Sequence, residues 1–270
     1  MTQTPDVVAA LTADGDALDR MVTGLGASGW DAPTPAEGWT VKHQIAHLTS
    51  IFWMAEKAAA TPEAFTAMSA NLGPNFNDNV AKAMAPFLDM PNEMLLGKWQ
   101  EQRANTEQAL AALPPDQIVP WLVRPLPAGI LACAGMMELF GHGQDVADAL
   151  DVKREHTDRL GHLVGFAVRT WDFGYTGRGL DVPADPFRFE ITLPSGRVME
   201  FGPADAADRI SGPAVDFCLL VTRRRHHRDL AVTASGPNAV PWLEIAQAYR
   251  GPGGKGRAPG QFSDAGKSAA

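Results

Sequence analysis

Glu138 and His142 stand four residues apart in the run MMELFGHGQDVADAL. On a helix that spacing projects both side chains from one face. A carboxylate oxygen and an imidazole nitrogen are both good ligands for zinc. Taken alone the pair is a weak signal, because Glu–His pairs of this spacing are common on helix surfaces. Met137, Leu139 and Phe140 around it argue for a partly covered face. His47, in IAHL, falls on the apolar side of another expected helix, where a lone histidine is more often a core residue bonded to a carbonyl than a ligand. His43 lies one turn earlier and could share that face. Either one, joined to Glu138 and His142, would complete a three-ligand site. Three protein ligands leave a coordination position for water or substrate, as in catalytic zinc sites.

Four helices must position these residues. The first is read from Thr4 to about Leu25, where Val7, Val8, Leu11, Leu18, Met21, Val22 and Leu25 recur at helical spacings. Gly24, Gly26 and Gly29 end it. The stretch WDAPTPAEGW, Trp30 to Trp39, reads as a loop, since its prolines and glycine break regular structure. Thr40 is a good N-cap for a second helix from Val41 to about Ala60, with Ile45, Leu48, Ile51, Phe52 and Ala55 toward the core. Thr61-Pro62 interrupts it, and NLGPNFND, Asn71 to Asp78, reads as a long loop or lid. A third helix runs from about Asn92 to Leu113, where Pro114-Pro115 stops it. Pro120, Pro125 and Pro127 make the next connection extended. The fourth helix, about Ile130 to Leu150, carries Glu138 and His142. This set predicts a bundle whose core can house a metal.

After about His156 the pattern changes. One helix is expected from Asp158 to Trp171. FRFEITL (Phe187 to Leu193), the turn Pro194-Ser195-Gly196 and RVMEF (Arg197 to Phe201) then form a hairpin signal. A helix over Ala214 to Thr222, a strand over Leu230 to Gly236 and a last helix over Ala239 to Tyr249 complete an α+β half. The tail from Gly251 is rich in Gly, Ser, Ala and Pro and is expected to be disordered.

Composition bounds the function. A length of 270 residues suggests two domains, and 45% hydrophobic with 20% charged residues is ordinary for a globular protein. The net charge of −8 argues against a general nucleic-acid partner, which needs a basic surface. The two cysteines, Cys133 and Cys218, form no CxxC motif and are read as small core residues. No apolar run is long enough to span a membrane, and the acidic N-terminus is unlike a signal peptide. A cytoplasmic protein with no membrane partner is the expectation.

The run GWTVKHQIAHL together with MELFGHGQDVADAL resembles the mycothiol-dependent maleylpyruvate isomerase family, within the wider DinB-like superfamily of metal-binding four-helix bundles. The resemblance covers about residues 5–153. It implies that His47, Glu138 and His142 bind a divalent metal, usually zinc. Asp145 matches the acidic residue after the second histidine, with a supporting or structural role implied. Many members have Asp where this chain has His43. GPAVDFCLLVTRRR and WLEIAQAY resemble the family's C-terminal domain, which is similar in shape to sterol carrier proteins. The implied fold is therefore a DinB-like helical bundle over 1–153, a smaller α+β sterol-carrier-like domain over 154–250, and the tail 251–270. An actinobacterial subgroup, some of whose members carry a wyosine-base-formation label, resembles the chain best.

The resemblance also implies a chemistry. A low-molecular-weight thiol such as mycothiol would bind at the metal, whose charge lowers the thiol pKa. The thiolate would attack an electrophilic carbon of a small substrate, giving isomerisation or transfer. The basic run RRRHHR, Arg223 to Arg228, is read either as a solvated turn or as the site where Arg223, Arg224 and Arg225 hold an anionic group of the cofactor. Trp30, Trp39, Trp53 and Trp99 are read as core residues or as a pocket lining. Two further readings stay open on the residues alone: a non-enzymatic metal- or small-molecule-binding module, and an accessory of tRNA modification, against which the acidic balance counts. Whether the chain is an enzyme, and which metal, thiol and substrate it uses, is not fixed by these residues.

Overall fold

The computed structural model describes residues 4–122 and 124–262. The chain divides into two compact units, Met1–Arg154 and Glu155–Ala270. The first is helical and the second contains a small sheet.

The helical unit contains α1 (Thr4–Val22), α2 (Ala27–Trp30), α3 (Val41–Ala60), α4 (Pro62–Ser69), α5 (Phe76–Leu88), α6 (Asn92–Ala111) and α7 (Ala128–Ala149). A short antiparallel pair, β1 (Ile118–Val119) and β2 (Leu126–Pro127), enters α7. The four long helices pack as a bundle: α3 lies against α6 and α7, and α1 against the same two. Leu11, Leu18, Ile45, Leu48, Leu95, Leu110 and Leu139 fill its centre. Each such side chain contributes about 1.5–3 kcal/mol by leaving water. Helix α7 is apolar nearly all round, as a helix walled in by neighbours must be. Glu138 and His142 are thus carried by the most enclosed element.

Polar ties hold α6 to α1. The Trp99 indole donates to Asp19 Oδ1 at 2.7 Å. Arg103 reaches Asp16 and Asp19 at 2.7 and 3.1 Å, and Glu107, paired with Arg103 on α6 itself, accepts from the Thr12 hydroxyl at 2.7 Å.

The four long helices match their expected spans to within a few residues at each end. The stretch Asn71 to Asp78 does not stay a loop. Asn75 accepts from the N–H groups of Asn77 and Asp78 and caps α5, so Phe76–Asp78 form its first turn. Helix α5 then packs on α3, burying Met84. Pro86, inside the helix, hides it in the sequence.

The second unit contains α8 (Leu160–Arg169), α9 (Phe173–Thr176), β3 (Arg188–Thr192), β4 (Val198–Phe201), β5 (Arg209–Pro213), α10 (Ala214–Val221), a 3-10 turn at His227–Asp229, β6 (Thr233–Ser235) and α11 (Ala239–Ile245). The hairpin β3–β4 forms as expected, pairing Phe189 with Phe201 and Thr192 with Val198. The sheet runs β4-β3-β5-β6, with β3 and β5 parallel and the other pairs antiparallel. Strand β5 is absent from the sequence reading, because RISGP has a Gly and a Pro and buries only Ile210. Phe187, Phe189, Phe217 and Trp242 make the aromatic core. Part of the expected tail packs back. The Gly260 N–H donates to the Asp229 carboxylate at 2.9 Å, and the Phe262 ring lies 3.6 Å from the Arg225 guanidinium carbon. Residues 263–270 of that tail lie outside the described residues.

Candidate metal centre

Helix α3 begins where Thr40, in extended backbone, turns the chain. The Thr40 N–H donates to His43 Nδ1 at 3.2 Å, and Thr40 Oγ1 lies 2.9 Å from the same nitrogen. His43 therefore takes the place that Glu or Gln holds in a capping box. Burial, with the nearby Lys42 charge, pushes its pKa down. The remaining turns of α3 carry Gln44 and His47 toward α7.

On α7, Glu138 and His142 present their polar ends to His47. Glu138 Oε2 lies 3.2 Å from His142 Nε2 and 3.5 Å from His47 Nε2. One ligand atom from each of the three residues falls within 4.8 Å of the other two. The side chains of His47, His142 and Glu138 are 13%, 14% and 21% exposed, so the cluster is sheltered yet reachable. Burial raises the Glu138 carboxyl, but hydrogen bonds from His142 and His47 and the charge of those rings outweigh it. They hold Glu138 far below the ordinary carboxylate range.

This geometry fits a metal. Ligands at about 2.0–2.1 Å from a tetrahedral zinc stand roughly 3.3–3.4 Å apart. The two carboxylate–imidazole separations, 3.2 and 3.5 Å, bracket that spacing. Two imidazoles and a carboxylate also form a donor set that zinc accepts, as do Fe, Co and Ni.

The loop before α3 closes over the cluster. Gly38 turns with φ +78°, and the Thr34 N–H donates to the Trp39 carbonyl at 2.8 Å. Trp39 is thereby laid against three histidines, its ring 5.9 Å from His142 at an interplanar angle of 22°, 5.5 Å from His47 and 6.3 Å from His43. Of the four tryptophans named from sequence, Trp39 alone is recorded against the cluster. Trp30 and Trp99 are buried core residues and Trp53 is exposed on α3.

Sequence reasoning missed Gln44. It is fully buried, its amide lies 2.6 Å from His142 Nδ1, and its nitrogen donates to Thr34 Oγ1 at 2.9 Å. The available signal was a polar residue one turn from His47 on the apolar side of the helix. Asp145 is also fully buried on α7. His43 is not part of the three-residue cluster; its ring is engaged in the cap instead.

The arginines named from sequence belong to the second unit. Arg223 follows α10 with φ +58° and donates to the Glu244 carbonyl at 3.3 Å. Arg224 and Arg225 donate to the carbonyls of Thr222 and Arg224. The neighbouring His226, His227 and Glu244 also converge within 4.8 Å. Here His227 Nε2 meets Glu244 Oε1 at 2.8 Å, and His226 Nδ1 accepts the Arg228 N–H at 3.1 Å. A neutral His226 then carries its proton on Nε2, the nitrogen facing Glu244 at 3.9 Å. Glu244 is exposed and the two histidines are part-buried, and the group sits among arginines, a poor setting for a cation. Cys133 and Cys218 are buried in different units.

Comparison with known proteins bears on both halves. Residues 11–147 match the family model described as the mycothiol maleylpyruvate isomerase N-terminal domain. Residues 183–235 match the model described as wyosine base formation. Two curated relatives, uncharacterized proteins of Mycobacterium tuberculosis strains CDC 1551 / Oshkosh and ATCC 25618 / H37Rv, are each 43% identical over 93% of this chain and 97% of their own. Among solved structures, two crystal structures of a mycothiol-dependent maleylpyruvate isomerase, one of them a mutant, share the fold. Their TM-scores are 0.55 for the mutant and 0.52, at 15% and 16% identity, covering 87% of this chain and 96% of theirs. Among the described residues no helix is long and apolar enough to cross a membrane.

Proposed function

Because this chain belongs to the family of the mycothiol maleylpyruvate isomerase N-terminal domain, we propose that it is a thiol-dependent isomerase built around a divalent-metal centre at His47, Glu138 and His142. The observation that carries the reading is the convergence of these three donors, with both carboxylate–imidazole separations at ligand spacing, inside the stretch that matches the family model. When bound, the metal supplies positive charge that favours the thiolate form of a thiol at neutral pH.

The chain's own residues would do the rest. Two imidazoles and one carboxylate would leave one net positive charge on a divalent ion, which matches the single negative charge of an anionic sulfur. Trp39 shields the rings of His47 and His142 and keeps water from that side. The substrate class is a small conjugated carbonyl compound with a cis double bond. The thiolate adds to the alkene carbon and the π electrons move onto the carbonyl oxygen. The former double bond then rotates. The electrons return, the C–S bond breaks, and the thiolate leaves the trans isomer. An adduct that takes a proton from water at the carbon beside the carbonyl, and is released with its C–S bond intact, would make the protein a transferase.

Zinc suits the donors best. We assign to Arg223, Arg224 and Arg225 an anionic group of the thiol cofactor or substrate. A guanidinium fork suits a carboxylate, and three lie in sequence here. A cytoplasmic setting goes with this reading, since small thiols are kept reduced there.

The test is turnover of maleylpyruvate by the full chain, loaded with zinc and supplied with mycothiol. The reading expects isomerisation that requires both metal and thiol and is lost in Glu138→Gln. A chain that binds metal yet leaves a panel of cis-configured electrophiles unchanged is a binding module instead.

A further inference from the structure

We propose that Gln44 is a positioning residue that fixes which nitrogen of His142 faces the metal, and that Thr34 and the Trp39 carbonyl fix Gln44 in turn. The inference rests on the metal-centre reading for its purpose, but its chemistry follows from hydrogen-bond polarity alone.

A threonine hydroxyl has one proton. That of Thr34 lies 2.9 Å from the Trp39 carbonyl, which can only accept. Thr34 Oγ1 must therefore accept from Gln44, 2.9 Å away, and only the amide NH2 can donate. The Gln44 oxygen is then the atom 2.6 Å from His142 Nδ1. An amide oxygen accepts, so Nδ1 carries the proton. In the neutral ring the lone pair is on Nε2, which points at Glu138 Oε2 from 3.2 Å. That position is completed by a cation, either a second proton on the ring, which makes Nε2 a donor to the carboxylate, or a metal ion.

The opposite tautomer is costly. It needs the Gln44 amide turned over, with its oxygen toward Thr34, whose proton must then leave the Trp39 carbonyl. Gln44 is fully buried, so water is poorly placed to replace the lost bond. The other histidine has no such device, since His47 Nδ1 is buried with no hydrogen-bond partner. The two rings are therefore unequal. His142 is set before a metal arrives, whereas His47 is not set by a partner of this kind. Partners of this type around metal-binding histidines are worth about 10–100-fold in affinity.

Two measurements on the full chain test this. The first is the His142 tautomer in the metal-free protein, read from nitrogen-15 chemical shifts of the neutral ring. The expected result is a proton on Nδ1 in the wild type and a mixture or reversal in Gln44→Leu. A wild-type proton on Nε2 overturns the proposal. The second is zinc affinity by competition with a chromophoric chelator. Gln44→Leu should weaken binding about 10–100-fold. Gln44→Glu, which still offers an acceptor to Nδ1–H, should bind at least about tenfold more tightly than Gln44→Leu. Thr34→Val, removed from the ligands, should weaken binding by less than Gln44→Leu. Wild-type affinity in a folded Gln44→Leu, or equal losses in Gln44→Leu and Gln44→Glu, overturns it. If the wild type binds no zinc, the metal-centre reading fails, and the tautomer measurement still decides whether Gln44 orients His142.

Discussion

His47 Nε2 lies 3.5 Å from Glu138 Oε2, although α3 and α7 are separated in the chain by three other helices and a strand pair. Nothing local brings these residues together. The contact exists because α3 packs its His47 face on α7, and α7 is enclosed enough to hold Glu138 in place. A buried carboxylate beside two imidazoles is stable when a cation, proton or metal, balances it. The bundle has therefore been built around a charge that something must complete.

His43 should behave as a cap and not as a ligand. Replacing it with Ala removes the acceptor for the Thr40 N–H and should cost about 0.5–2 kcal/mol of stability. Metal content should stay at the wild-type level. His43→Gln, which restores the reach-back of a capping box, should recover most of the loss. Thermal melts and elemental analysis of the same samples check both halves. Loss of metal in His43→Ala at unchanged stability would reverse the assignment.

Asp208 should set an acid limit on the second unit. Burial raises its carboxyl, but donors from the Asn238 side chain and the Ala239 and Asn238 backbone outweigh this and hold its pKa low. A depressed folded pKa means stability that is present above the unfolded value, about 3.9, and is lost as pH falls through the folded one. Asp208→Asn should cost about 2 kcal/mol near neutral pH and flatten that acid dependence. Amide exchange across β5 and α11, followed from pH 6 down to about pH 2.5, reads it. An unchanged pH profile in the variant would count against Asp208 as the responsible group.

Trp39 should guard the cluster without holding it. Trp39→Ala uncovers the rings of His142 and His47 but removes no donor. Metal stoichiometry should persist, while the rate at which a chelator strips the metal should rise about tenfold, the scale of a lost supporting contact. Stopped-flow chelation measures this. A stripping rate equal to wild type would mean that the loop does not control access.

What could be read from sequence follows the range of the interactions. Glu138 and His142 were legible because a four-residue spacing is a local property of one helix, and His47 because its motif resembles a known family. Gln44 was not. Its role depends on Thr34, Trp39 and His142 together, and the direction of each bond follows from the others. The type of His43 left it open between a ligand, a supporting and a structural role, and only the geometry shows its ring bonded to the Thr40 N–H in the helix cap. Helix α5 was hidden for a different reason. Pro86 sits inside it and reads as a helix breaker, while the Asn75 cap and the contact with α3 hold the helix together. Strand β5 is likewise made by its neighbours, since RISGP enters the sheet between β3 and β6 with poor strand propensity of its own.

The central claim is that His47, Glu138 and His142 hold one metal ion. The most direct test is elemental analysis of the wild-type chain beside His47→Ala, Glu138→Gln and His142→Ala, purified together and loaded with zinc under identical conditions. The account predicts about one zinc per wild-type chain and little or none in each variant, with the helical circular dichroism signal retained. A folded wild-type chain that binds no zinc, iron, cobalt or nickel, or variants that bind as well as wild type, would contradict it.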